Sequence, residues 1–116
     1  MKTYLIILSD IPTNDSDAKF GSFIEKYKLE YWRYTALNWI ILTPDDIIST
    51  VILSEIVEAY GPIFSCVLDI KINDAFGILP TTMSQLESSN PFNWFEIVQG
   101  PKFIPRWLRE PIAESK

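Results

Sequence analysis

Apolar and polar positions in this chain follow two periods, and most of the elements can be read from where one gives way to the other. Tyr4-Leu5-Ile6-Ile7-Leu8 is a continuous apolar run closed by Ser9-Asp10. It predicts a strand buried on both faces, inside a sheet rather than at its edge. Ile11 to Asp15 is a polar turn rich in helix caps, and Asp15 and Asp17 favour a helix N-terminus through its dipole. Phe20, Phe23, Ile24 and Tyr27 then recur at i, i+3, i+4 and i+7, one stripe of an amphipathic helix. Gly21 inside that helix costs about 1 kcal/mol relative to alanine, and a close crossing over the sheet is the expectation that accounts for it.

The period then changes to two. Tyr31 to Thr35 and Trp39 to Thr43 are aromatic and β-branched, two strands of a hairpin turning at Ala36-Leu37-Asn38, with one long bulged strand as the alternative. Thr43-Pro44-Asp45-Asp46 predicts a helix start with Thr43 as cap and Pro44 at the first position. Gly61-Pro62 ends that helix near Tyr60. Ile48, Ile52, Ile56 and Ala59 form its core stripe, and Leu53, Val57 and Tyr60 a second one, so it wants two neighbours. Residues 63–73 alternate, with Phe64, Cys66, Leu68, Ile70 and Ile72 on one side, the pattern of a half-buried strand. A short fifth strand is expected at 75–79. After a polar stretch at 81–90, short helices are expected near 91–98 and 103–109.

Composition narrows the chemistry. The chain has 116 residues, the size of one domain, with 47% hydrophobic and 14% aromatic side chains. The aromatic share exceeds what one small core needs and favours a partner interface, most simply a homodimer. There is no histidine, which removes the commonest general base and transition-metal ligand. Cys66 is the only cysteine, so a reducing compartment is expected. No apolar run approaches the length of a membrane span, and a cytoplasmic location is the reading. A net charge of −5 disfavours general nucleic-acid binding.

In order, the elements are strand, helix, strand, strand, helix, strand, a short fifth strand and a helical tail. This is an α+β, ferredoxin-like βαββαβ pattern over residues 1–80. Residues 81–116 are an extension that docks on the domain or on a partner. Both helices would cover one face of an antiparallel sheet, leaving the other to a second copy.

The opening Met1-Lys2-Thr3-Tyr4-Leu5-Ile6 ending in Asp10-Ile11 resembles the first strand of the small CRISPR-associated adaptation subunit and its SinR-like relatives. The SinR-like branch is the nearer likeness, through Tyr31-Trp32-Arg33-Tyr34, Asn38 to Thr43, and Val67 to Lys71 leading to Asp74-Ala75-Phe76-Gly77-Ile78. The resemblance covers about residues 1–80. It implies a dimeric ferredoxin-like domain with a divalent metal, Mg²⁺, held at Asp10 for phosphodiester hydrolysis. The Ser-Val/Leu-Phe-x-Gly-like segment of the adaptation subunit has no counterpart at Asn38 to Leu42, and the acidic charge is wrong for a DNA-bridging subunit.

The residues themselves leave alternatives. Asp10 is a metal ligand or a turn cap. Trp32, Tyr34 and Trp39 are a nucleobase-stacking platform or buried packing, with only Arg33 interleaved. Lys102, Arg106 and Arg109 are an anion contact or a solvated helix face. Cys66 reads as inert packing. For a protein partner the candidate contacts are Trp32, Arg33, Trp39, Leu53, Val57, Tyr60, Trp94 and Trp107. The function expected is a non-catalytic interaction or regulatory domain needing no cofactor. A Mg²⁺-dependent nuclease, and an immunity or anti-defence protein masking a basic partner, are the alternatives.

Overall fold

The computed structural model describes residues 1–71, 93–100 and 102–109, apart from the side chains of Tyr34, Asn93, Glu96 and Gln99. The expected fifth strand and the polar stretch at 81–90 lie outside the described residues. The elements are β1 (Lys2–Leu8), α1 (Asn14–Lys26), β2 (Glu30–Thr35), β3 (Asn38–Thr43), α2 (Ser49–Tyr60), β4 (Ser65–Ile70), α3 (Asn93–Gln99) and α4 (Arg106–Arg109).

The four described strands form one sheet in the order β2-β3-β1-β4, and every neighbouring pair among them is antiparallel. β1 and β2 therefore run parallel with β3 between them, and β3 and β4 run parallel with β1 between them. Two β-α-β crossovers are interleaved, and both helices share one face. Ile6 aligns with Trp39 and Val67, and Tyr4 with Ile41. These side chains and Leu8 pack with Phe20, Phe23 and Ile24 of α1 and with Ile52, Ile56 and Ala59 of α2. The predicted stripe of α1 is the buried one. β1, however, is fully buried on that face only, its Leu5 and Ile7 being half-buried on the other.

Local sequence explains the ends of α1. The Thr13 hydroxyl accepts from the Ser16 N–H at 3.1 Å, so Thr13 is the cap, with Asp15 and Asp17 in the first turn. At the other end Lys28 adopts φ 53°. Its N–H reaches the Glu25 carbonyl while that of Leu29 reaches Ile24, the paired closure of a Schellman motif. Lysine stands where glycine is usual, and the buried Leu29 supplies the apolar contact of the motif.

Gly21 corrects one expectation. A Cβ built there meets nothing within 4 Å, so no close crossing accounts for it. Gly21→Ala is expected to raise stability by about 0.5–1 kcal/mol, the usual gain in a helix interior, measured by urea unfolding. A loss would show that the helix shifts inward at this position.

The second helix begins later than Thr43-Pro44 predicts. Residues 44–47 make a turn, with the Ile47 N–H on the Pro44 carbonyl, and α2 starts at Ser49 with no side-chain cap. Ile47, not Ile48, enters the core, and its carbonyl accepts from the buried Tyr4 hydroxyl at 3.0 Å. Thr43 caps nothing. It is fully buried and its Oγ1 has no hydrogen-bond partner among the described residues. Thr43→Val keeps the shape and removes that buried hydroxyl, so a gain of about 1 kcal/mol is expected in the same unfolding measurement.

β4 also turns over relative to its reading as a half-buried strand with the alternating row inward. Val67 reaches the core, while Leu68 and Cys66 align with Leu5 and Ile7 on the face away from the helices. Phe64 is 71% exposed and Leu68 42%.

That second face is not left wholly to another copy. Trp32 aligns with Ile40, and Leu42 with Thr3. Trp32 and Leu42 are buried, as are Phe95 and Val98 of α3, and the Trp32 and Phe95 rings lie 5.5 Å apart. The tail thus covers the β2–β3 side of the face.

Candidate functional site

Asp10 lies just beyond β1, where the backbone is stapled on both sides. The Leu8 N–H donates to the Leu37 carbonyl and the Ser9 N–H to that of Phe64. The Asp10 side chain is exposed and accepts a hydrogen bond from the Ser9 hydroxyl at 3.1 Å. Among the described residues no group of three or more His, Cys, Asp or Glu side chains is placed to hold a metal ion. Asp10 thus offers one carboxylate, and a Mg²⁺ there would draw its other oxygens from water or a second copy.

The densest polar constellation lies elsewhere. Arg33 on β2 grips the Asp17 carboxylate of α1 with both terminal nitrogens, at 3.1 and 3.3 Å. Its Nε donates to the Thr35 carbonyl and its Nη2 to that of Ala36, each at 2.7 Å. The guanidinium stands 4.3 Å from the Trp39 ring centre, a cation–π contact. Tyr60 at the end of α2 donates to Asp17 Oδ1 at 2.8 Å and accepts from the Trp39 indole N–H at 3.0 Å. Four elements and the β2–β3 turn are tied through one carboxylate, and the register of β2 shifts at this place, between Trp32 and Thr35. Burial, and then the Asp17 carboxylate, push the Tyr60 hydroxyl well above the ordinary tyrosine range. It stays a protonated donor to Asp17 at neutral pH.

Arg33, Trp39 and Tyr60 were candidates for partner contact, and all three are engaged here within the chain. Trp39 lies in the core under the helices, while Trp32 lies on the opposite sheet face against Phe95, so the two indoles share no platform. Asp17 was missed as a participant. The available signal was its position three residues before Phe20, on the buried stripe of α1, together with Arg33 standing alone among aromatics.

The tail's basic side chains are also used internally. Arg106 meets Glu25 at 2.6 Å, and its backbone N–H meets Glu30 at 2.9 Å. Arg109 reaches Glu30 at 3.3 Å. The hydrogen bond from Arg106 chiefly holds the Glu25 carboxyl below its usual range. Trp107 packs against the core from outside, and Trp94 meets Phe95 edge-on at 5.1 Å.

Among the candidate partner contacts, Leu53 and Val57 remain outward, 39% and 52% exposed on α2. Two concavities accompany these surfaces. An open groove of about 370 Å³ separates α1 from β2, with Gly21, Tyr31 and Trp39 in its walls. A second, of about 560 Å³, lies where Thr3 and Ile70 meet Trp94 and Val98 of α3. No helix among the described residues is long and apolar enough to cross a membrane.

No family model, curated protein or solved structure matches this chain. The likeness to the SinR-like group therefore rests on its short sequence motifs alone.

Proposed function

We propose that this chain is a non-catalytic protein-interaction domain of ferredoxin-like form that acts as a homodimer. The interleaved crossovers, with both helices on one face, support the ferredoxin-like reading. The interaction reading is carried by one observation: aliphatic side chains stand outward on α2 and β4 while the polar constellation is spent on holding the fold together.

The face away from the helices supports self-association. Beyond the part that α3 covers at Trp32 and Leu42, Leu5, Ile7, Ile40, Cys66 and Ile70 are half-buried around Leu68, which is 42% exposed, a patch without a formal charge among the described residues. Two copies of this chain, each of net charge −5, would set no like charges of the patch itself directly against each other there.

Sedimentation equilibrium over a wide concentration range tests this. The expected result is a wild-type dimer that Leu68→Lys converts to a folded monomer. A wild-type monomer throughout would remove the homodimer. The SinR-like likeness implies a different outcome, Mg²⁺-dependent cleavage of DNA or RNA that Asp10→Ala abolishes. Such cleavage by clean protein would replace the non-catalytic reading.

A further inference from the structure

Among the described residues, the outer side of α2 is the helical surface whose charge and apolar pattern agree on a partner. Ile52, Ile56 and Ala59 turn into the core, while Ile48, Val51, Leu53 and Val57 stay exposed. At about 100° per residue, the exposed Thr50, Ser54 and Glu58 fall between the Leu53–Val57 row and Val51, with Glu58 beside Val51. By this spacing two small residues lie along a trough edged by Leu53–Val57 on one side and by Val51 with the Glu58 carboxylate on the other, which suits the ridge of a helix that carries a flanking cation.

The charge on α2 itself has one sign, and the Met1 ammonium that lies at its approach is already held by Asp45 at 2.8 Å. No lysine or arginine occurs between Arg33 and Lys71, whereas Asp46, Glu55 and Glu58 all fall on or just before α2. None of these three carboxylates has an ion pair among the described residues. The cations of the helical layer belong to α1, as Lys19 and Lys26, the latter over the Tyr27 ring. Two copies meeting α2 on α2 would set Glu55 and Glu58 against the same residues, with no base on either helix to answer them. That counts against a second copy as the occupant and for a cationic one.

Resting on the interaction-domain reading, we infer that the outer face of α2 docks a cationic amphipathic helix of another protein. Its aliphatic ridge enters between Leu53–Val57 and Val51, and its flanking Lys or Arg side chains meet Glu55 and Glu58. This surface is separate from the sheet face assigned to the homodimer.

The test titrates the full chain with three synthetic helical peptides sharing one leucine ridge and flanked by lysine, glutamine or glutamate. Amide chemical shifts map the site, and fluorescence anisotropy gives the affinity. The lysine-flanked peptide is expected to perturb residues 48–58 and to bind more weakly as salt rises. Leu53→Asp should weaken it about tenfold, the share of one aliphatic contact, and Glu55→Lys/Glu58→Lys by at least as much. Equal binding of the lysine and glutamine peptides would overturn the cationic assignment while leaving an interaction domain. Absence of any shift on α2 with the lysine peptide would overturn the docking site itself, and the sedimentation result would still decide the homodimer independently.

Discussion

Asp17→Ala is expected to lower the folding free energy by about 2–3 kcal/mol in urea unfolding, among the largest effects of any polar substitution in this chain. The substitution leaves the Arg33 guanidinium, whose side chain is only 13% exposed, without its counter-charge, and takes an acceptor from the Tyr60 hydroxyl. Breaking a fully buried pair from one side costs about 3–5 kcal/mol. Asp17 is 35% exposed, so solvent screening places this case below that range. Two companions test the assignment. Tyr60→Phe removes a single hydrogen-bonding hydroxyl and should cost about 1 kcal/mol. Asp17→Ala combined with Arg33→Met removes both charges and should cost less than the two single changes added together. An Asp17→Ala protein within about 0.5 kcal/mol of wild type, the ordinary range for a surface change, would show that the network is ornamental.

The same network sets an alkaline limit. The Tyr60 ionisation is raised above the ordinary value of 10.0 by burial and by Asp17. Its contribution is complete below pH 10 and is lost as pH rises through the folded-state value, because the unfolded chain releases that proton first. Stability measured from pH 9 upward should therefore fall more steeply in wild type than in Tyr60→Phe. Parallel curves would contradict the raised ionisation.

How far sequence reasoning reaches is visible in particular residues. The stripe Phe20, Phe23, Ile24 identifies both α1 and its buried face, because a helical period carries its own direction once most of the stripe is large and apolar. Period two gives no such direction. The row Cys66, Leu68, Ile70 looks like the core side of β4, but the helices lie on the side of Val67, and only the pairing with β1 decides this. The hairpin poses the same difficulty. Trp32 and Trp39 lie on opposite faces, and the register shift between Trp32 and Thr35 makes their relation unreadable by counting. Thr43-Pro44-Asp45-Asp46 carries a sound local signal for a helix start, overridden because Ile47 is drawn into the core and Tyr4 holds its carbonyl. The Arg33–Asp17–Tyr60 constellation spans separations of 16 and 43 residues, so no local spacing could reveal it. Asp10 was legible as the residue leaving the first strand, but its surroundings come from two other loops.

Phe95→Ala is expected to cost about 3 kcal/mol where it is felt, and to be felt mainly in the tail. Phe95 is buried against Trp32, with Trp94 on its other side and Val98 buried on the same helix. Truncating a buried aromatic costs about 3–5 kcal/mol when the whole domain feels it, but α3 is seven residues long and holds little structure of its own. The loss should therefore appear first as undocking of α3, with β1, β3 and α1 unchanged, because stability is distributed unevenly over a structure. Three readings follow: tryptophan emission shifts to the red as Trp32 meets water, protease cuts the tail sooner, and the amides of α1 keep their exchange protection. Arg106 and Arg109 remain on Glu25 and Glu30 and Trp107 stays against the core, so the last turn is expected to stay docked while α3 leaves. Undocking uncovers Trp32 and Leu42 beside the uncharged patch of Leu5, Ile40 and Leu68, enlarging the apolar face. Self-association should then strengthen in sedimentation, and Leu68→Lys should reverse it. A Phe95→Ala protein with unshifted emission and an unchanged association state would mean that α3 is held by something other than the Trp32 contact, and the division of that face between tail and second copy would have to be redrawn.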